Sequence, residues 1–254
     1  MKLIFLGTSS AFTTDTQNYQ SNMLLKSSSG KHMLIDCGSD VRRSLYNVTG
    51  LSYREIDAVY ISHLHADHAG GLEWLGFTRK FNPGCTKPTL FISEALQKPL
   101  WERTLSGGMR SLDSEEAQLS TYFSIQAIPS GGSFEWEGTR FTLIPTLHFK
   151  DGKELAPSFG LWIQKEKAYF LTTDTQFTPD QFMQKYESAD IIFHDCETNS
   201  HRSGVHANYQ DLKTLPVTIK KKMWLYHYNP GELPLATSDG FAGFVKPGQS
   251  FALS

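Results

Sequence analysis

The chain is poor in cysteine, and the three it has cannot staple it. Cys37, Cys85 and Cys196 are odd in number, far apart, and include no Cys-x-x-Cys pair. That excludes a disulfide framework and fits a reducing compartment. Long apolar runs are missing as well, and no window approaches the roughly 18 apolar residues of a membrane span. The opening MKLIFLGTSSAF has one lysine and only a short apolar run around LIFLG, less than a secretion signal needs. The expectation is a cytoplasmic protein with no membrane partner. An excess of one charge is also absent: the net charge is −2 over 254 residues and the pI about 6.5. Surfaces for long nucleic acids usually carry a basic excess, so long polyanions are disfavoured as partners. A small anion gripped by metal ions needs no such excess and stays open.

What is present is apolar material for a sizeable core, 39% of the residues, in a length compatible with one large domain. Short segments rich in β-branched and aromatic residues and bounded by turn residues predict strands. They lie at 2–6, 21–25, 32–36, 58–62, 89–93, 123–128, 140–145, 159–164, 168–172, 191–194, 223–226 and 250–253. SSSGK at 27–31 reads as a hairpin turn, and 159–172 as a hairpin turning at KEK. Helical patterns fall between the strands. Ser39 is the expected cap of a helix over 40–48, and Ser93 or Ser114 of helices in 94–104 or 114–121, with Gly107-Gly108 as the break. Thr178-Pro179 opens a short helix, and 208–215 is another. Sheets covered by helices on their outer faces predict an α/β (α+β) fold, an αββα sandwich.

The chemistry concentrates in YISHLHADHAGGL, residues 60–72. His63 and His65 are two apart after an apolar strand, so in an extended chain they point the same way and can grip one cation. Asp67 and His68 follow as the chain turns and can face a second cation, with Gly70-Gly71 expected to allow a tight exit. Imidazole and carboxylate suit zinc, and also manganese or iron. A lone histidine is more often packing or surface. Four such residues within six positions, between an apolar strand and Gly-Gly, outweigh that default. His148 and His227 each sit just after an apolar strand, and His32 at a strand start gets no role. Arg42-Arg43 and Lys220–Lys222 read as solvated faces, Ser9-Ser10 as a turn, and Trp74, Phe77 and Phe81 as core packing.

These motifs, with FLGTSSA (5–11), LIDCG (34–38), RFTLIPTLH (140–148), YFLTTDT (169–175) and MWLYHY (223–228), resemble the metallo-β-lactamase superfamily and its ribonuclease Z-like branch over most of the chain. The resemblance implies a single metallo-β-lactamase domain over residues 1–254. It also implies a hydrolase with two divalent metal ions, Zn2+ or alternatively Mn2+. One ion would take His63, His65, His148 and Asp174, the other Asp67, His68, Asp174 and His227. In that branch a His-Glu pair precedes a separate histidine that acts as general acid. The corresponding stretch here, FHDCETNSHRSGVHANYQDL (193–212), has His194-Asp195, a departure from Glu. His206 matches the later histidine, with His201 as its competitor. Asp195 could orient His206 and keep it protonated, and His194 is expected to support the ligands through hydrogen bonds. The implied catalytic residues are therefore Asp67, which would orient or deprotonate the nucleophile, His206 and Asp195.

Enzymes of this branch that trim tRNA 3′ trailers carry a long arm between the third ligand motif and the bridging aspartate. Only 25 residues separate His148 from Asp174, and the 159–172 hairpin uses most of them. The chain looks most like the armless cyclic-nucleotide phosphodiesterases of the phage anti-Pycsar type. That likeness implies a small anionic substrate, a 3′,5′-cyclic nucleotide such as cyclic CMP or cyclic UMP. It also implies a homodimer, with 94–121 as a candidate cap or dimer contact. A tRNA 3′-end endonuclease and a metallo-hydrolase of lactones or thioesters are the alternatives.

Overall fold

The computed structural model describes residues 1–113 and 115–254, so the expected Ser114 cap lies outside the described residues. All twelve segments expected to be extended form strands, with ends shifted by at most two residues. β1 (Lys2–Phe5), β2 (Met23–Lys26) and β3 (His32–Ile35) make an antiparallel meander, and Ser27 N–H donates to the Lys31 carbonyl (2.9 Å) across its second turn. β4 (Ala58–Ile61), β5 (Thr89–Ser93) and β6 (Ser124–Ile128) extend this sheet in parallel. The second sheet begins with antiparallel β7 (Ser133–Trp136) and β8 (Thr139–Pro145). A small ribbon, β9 (Lys150–Asp151) and β10 (Glu154–Leu155), interrupts it before the hairpin of β11 (Phe159–Gln164) and β12 (Ala168–Leu171). β13 (Ile191–Asp195), β14 (Met223–Tyr226) and β15 (Gly243–Phe244) then run parallel to β12, and β16 (Ser250–Ala252) returns to pair with β1. Each main sheet has seven strands. The sequence pattern missed β7, the ribbon and β15, which are all four residues or shorter.

The helices are α1 (Val41–Thr49), α2 (Ala66–Ala69), α3 (Leu72–Lys80), α4 (Glu94–Pro99), α5 (Ser106–Met109), α6 (Leu119–Tyr122), α7 (Pro179–Ser188), α8 (Tyr209–Leu212) and α9 (Val217–Lys220). Several expected details differ. Ser39 does not cap α1; its hydroxyl donates to Gln20 Oε1 (3.0 Å), and Asp40 occupies the cap position, its side chain accepting from Gln20 N–H (2.9 Å) rather than from the helix. Ser93 does cap α4, accepting from Ala95 N–H. Gly107-Gly108 does not break the helical run but lies inside α5. The irregularity comes earlier, where Pro99 lacks the N–H that would continue the ladder and the chain widens into a π-helical stretch, Leu100–Leu105. The helix expected over 208–215 is only α8, with Asn208 Oδ1 accepting from Gln210 N–H (3.0 Å).

Period-two alternation sends neighbouring strand residues to opposite sheet faces, and the second sheet uses both. Phe141, Leu143, Tyr169, Leu171, Phe193 and Tyr226 face the first sheet and join one core with Leu3, Phe5, Met33 and Tyr60. Phe170, Ile192, Met223 and Leu225 face the other way, under Phe182, Tyr186, Leu212 and Ile219 from α7, α8 and α9. Val41, Leu45, Leu72, Leu75 and Leu96 bring α1, α3 and α4 into the first core. The result is a helix–sheet–sheet–helix layering. Among the described residues no helix is long and apolar enough to cross a membrane.

Phe5 is fully buried where the sheets meet, with ring centroids 5.3 Å from Phe193 and 5.5 Å from Tyr226. Phe5→Ala should lower the urea-unfolding free energy by about 3–5 kcal/mol; a loss below about 1 kcal/mol would mean the two sheets are not packed through this ring.

Candidate metal centre

The candidate ligands come from loops at the C-terminal ends of strands, where α/β sheets commonly bind ligands. His63 and His65 follow β4, and Asp67 and His68 lie in α2 just beyond. His148 follows β8, Asp174 follows β12, Asp195 ends β13 and His227 follows β14. Gly38 and Gly71 let the loops press together. A Cβ on Gly38 would sit 2.0 Å from the Asp67 carbonyl oxygen, and one on Gly71 2.3 Å from that of Gly38. Close approach is therefore the reason for the glycines, not the expected freedom of turn: Gly70 and Gly71 have ordinary right-handed φ values of −66° and −89°.

Two groups of donors converge on Asp174. In the first, His65 Nδ1 lies 3.0 Å from His63 Nε2 and 3.1 Å from His148 Nε2, and those two nitrogens lie 3.8 and 3.7 Å from Asp174 Oδ2. In the second, His68 Nε2 is 3.1 Å from Asp67 Oδ2 and 3.2 Å from Asp174 Oδ2, with His227 Nε2 at 3.3 and 3.5 Å from the same oxygens. Zinc with ligands at 2.0–2.1 Å in a tetrahedron sets donors roughly 3.3 Å apart, so both groups have the size such an ion requires.

The tautomers fit as well. Asp36 Oδ2 accepts from Ser62 Oγ–H (2.8 Å) and from His68 Nδ1–H (2.7 Å). With its proton so engaged, Ser62 Oγ accepts from His63 Nδ1–H (3.0 Å), and the Val205 carbonyl accepts from His148 Nδ1–H (2.8 Å). Each of these three rings, when neutral, presents a bare Nε2 to the centre, as a metal ligand must. His68 Nε2 and Asp174 Oδ1 are buried without a hydrogen-bond partner. Asp36 is the orienting residue that sequence reasoning missed. Its signal was a lone acid ending the strand before Cys-Gly.

Electrostatics point the same way. Burial drives the His63 imidazole well below its usual pKa, and His65 and His148 are lowered for the same reason. Burial alone would raise the Asp174 carboxyl, but His227 and His68 hold it well below the usual range. Burial likewise opposes charge on His68 and His227, yet the carboxylates, Asp174 foremost, raise His68 well above its usual value and His227 to about 10. Buried carboxylates this close require positive charge, and either protons on these imidazoles or divalent cations can supply it. The residues present therefore fit a pair of such ions.

His206 and Asp195 form a third grouping with Asp174 and His227, all donors lying within 4.8 Å of one another. Here His206 Nδ1–H donates to Asp195 Oδ2 at 2.8 Å, so the two are engaged with each other. Burial lowers the His206 pKa, but Asp195 outweighs it and the net shift is upward. Asp195 is itself held by Thr175 N–H (3.0 Å). His201 is exposed and absent from the cluster. His194, expected beside the ligands, is not there. On β13 it faces opposite to Asp195, in the outer layer, where Nδ1–H donates to the Asp195 carbonyl (2.7 Å) and Nε2 accepts from the Tyr186 hydroxyl (2.6 Å). Backbone strain gathers at the same edge: Asp36, Thr173 and His227 have φ of +62°, +52° and +63°, a region non-glycine residues rarely enter.

Layered sheets with candidate metal ligands gathered at one edge define a protein of the metallo-β-lactamase fold. Consistent with this, the structure superposes on the metallo-β-lactamase fold protein YhfI from Bacillus subtilis with a TM-score of 0.76 at 18% identity, covering 98% of each chain. The family model described as "Anti-Pycsar protein Apyc1" matches residues 1–251, and the chain belongs to this family. It is 36% identical over 230 residues to an anti-Pycsar protein Apyc1 from Paenibacillus harenae, covering 90% of each chain. It is 33% identical to the protein of that name from Bacillus phage vB_BsuM-Goe3, covering 99% of this chain and 98% of the phage protein.

Metal analysis of purified variants separates the groupings. Asp174→Ala should lose the metal of both four-residue groups, whereas His206→Ala should keep the wild-type content. Metal loss in His206→Ala would make His206 a ligand.

Proposed function

We propose that the protein is a metal-dependent phosphodiesterase that opens 3′,5′-cyclic nucleotides, such as cyclic CMP and cyclic UMP, to nucleoside monophosphates, countering antiviral nucleotide signalling. The observation that carries this reading is the His206–Asp195 pair at 2.8 Å beside the ligand cluster. A phosphodiester needs a proton for its departing ribose oxygen, whereas a thioester, which expels a stable thiolate, does not need the pair. Membership of the anti-Pycsar family supports the same choice. So does the size of the cleft over the cluster. It measures about 400 Å3, is lined by Phe12, His65, Asp67, His148, Phe149 and His206, and suits a small ligand. The 149–173 segment holds only a ribbon and a hairpin, which disfavours the tRNA alternative.

Two divalent cations, zinc or manganese, held by the two four-residue groups would lower the pKa of water toward neutrality and neutralise charge on the phosphate. The chain's own side chains do the rest. Asp67, only 4% exposed and facing the cleft, orients the attacking water against phosphorus. Asp195 holds His206 Nδ1, leaving Nε2–H to protonate the ribose oxygen as its bond to phosphorus breaks; the proton that the attacking water sheds passes to solvent, and solvent restores that of His206. Val205 fixes His148 through its carbonyl and directly precedes His206, so one loop positions a ligand and the acid together.

A panel of 3′,5′-cyclic mononucleotides and a pre-tRNA with a 3′ trailer, each incubated with wild type and Asp67→Ala, tests the reading. Cyclic-nucleotide turnover that disappears in Asp67→Ala is expected. Trailer cleavage without cyclic-nucleotide turnover would overturn it in favour of the endonuclease.

A further inference from the structure

A second, mostly apolar cleft of about 370 Å3 adjoins the metal cleft, and Phe149 lines both. Its other walls include Leu64, Leu96, Pro99, Leu155 and Pro157. The Phe149 ring stacks on His65, centroids 4.3 Å apart and planes at 28°, so one ring spans from a candidate metal ligand to the apolar space. Leu155 stands at the end of the β9–β10 ribbon and is 48% exposed, a large aliphatic side chain left in water at the rim of this space. An apolar cleft joined to a polar centre is the usual division of labour in small-molecule sites: the polar part fixes the reacting group and the apolar part takes the body of the ligand.

We propose that the cleft between Phe149 and Leu155 is the nucleobase pocket of the enzyme, with Phe149 and Leu155 determining substrate affinity rather than the chemical step. The inference rests on the phosphodiesterase reading above. With phosphate and ribose over the ligand cluster, the glycosidic bond passes Phe149 and the base enters a space whose walls are mostly apolar. Flat bases gain from such a wall through their faces whatever their hydrogen-bonding edge, because every base presents a π-face. The pocket would therefore admit more than one base, with its polar fringe at Arg103, Thr104 and Glu154 biasing the choice.

The test compares a cyclic nucleotide with baseless 1-deoxyribose 3′,5′-cyclic phosphate, using metal-loaded wild type, Phe149→Leu, Leu155→Asn and Phe12→Ala. Calorimetric binding of the product nucleoside monophosphate supplies a readout independent of turnover. Phe149→Leu should raise KM for the nucleotide and weaken product binding on the order of ten-fold, as expected when a stacking face is lost, and leave kcat unchanged. Leu155→Asn, at an exposed position where folding is not at risk, should shift KM in the same direction. Turnover of the baseless substrate should stay as in wild type for Leu155→Asn, and for Phe149→Leu the loss on the nucleotide should exceed any loss on the baseless substrate. Equal losses on the two substrates in either variant, or no change on the nucleotide, would overturn the base assignment. So would a KM shift confined to Phe12→Ala, which would put the base on the opposite rim. Failure of the wild type to open any cyclic nucleotide would instead overturn the phosphodiesterase reading itself.

Discussion

The structure is organised around a buried anion. Asp174 is 1% exposed, and one of its oxygens lies within 3.9 Å of nitrogens from His63, His68, His148, His206 and His227. A carboxylate removed from water is costly unless positive charge surrounds it. Meeting that demand draws the ends of β4, β8, β12, β13 and β14 to a single edge. The left-handed backbone at Thr173 and His227, the glycine contacts beneath α2 and the Asp36–Ser62–His68 network all serve that convergence. Each feature would be unfavourable or pointless alone. Around one shared oxygen they become mutually necessary.

Much of this was legible in the residues. Runs such as AVYI and MWLY are short, apolar and sharply bounded, so their extension and burial follow from composition alone. The spacing of His63, His65, Asp67 and His68 was equally readable, because ligands close in sequence need no tertiary information to be brought together. His148, Asp174 and His227 are scattered, and only likeness to known motifs joined them. What escaped depends on direction rather than residue type. His194 looked like a supporting residue beside Asp195, but adjacent strand residues point to opposite faces. Gly71 looked like a turn residue, yet its need arises from a carbonyl 33 positions earlier in the chain, at Gly38. Very short strands such as β15 carry too few residues for a pattern to show.

The loop from Asp195 to Asn208 shows how the fold turns a connection into an instrument. Glu197 accepts from Ser203 N–H at 3.0 and 3.1 Å through its two oxygens, and its backbone bridges to Asn208. The loop is thus folded back on the end of β13, with Val205 and His206 held at its inner turn. One backbone carbonyl, that of Val205, holds His148, and the next imidazole, His206, meets Asp195, so a single loop anchors two parts of the cluster.

The distribution of ligands between the sheets has a further consequence. His63, His65, Asp67 and His68 belong to the first sheet, and His148, Asp174 and His227 to the second. Neither sheet owns a complete set, so any ion bound there is a clasp across the seam of the sandwich. Binding free energy then becomes adhesion between the two halves, and removal of metal acts as a mechanical loosening along that seam while each sheet keeps its own hydrogen bonds. A filled centre would in this sense be a keystone of the molecule.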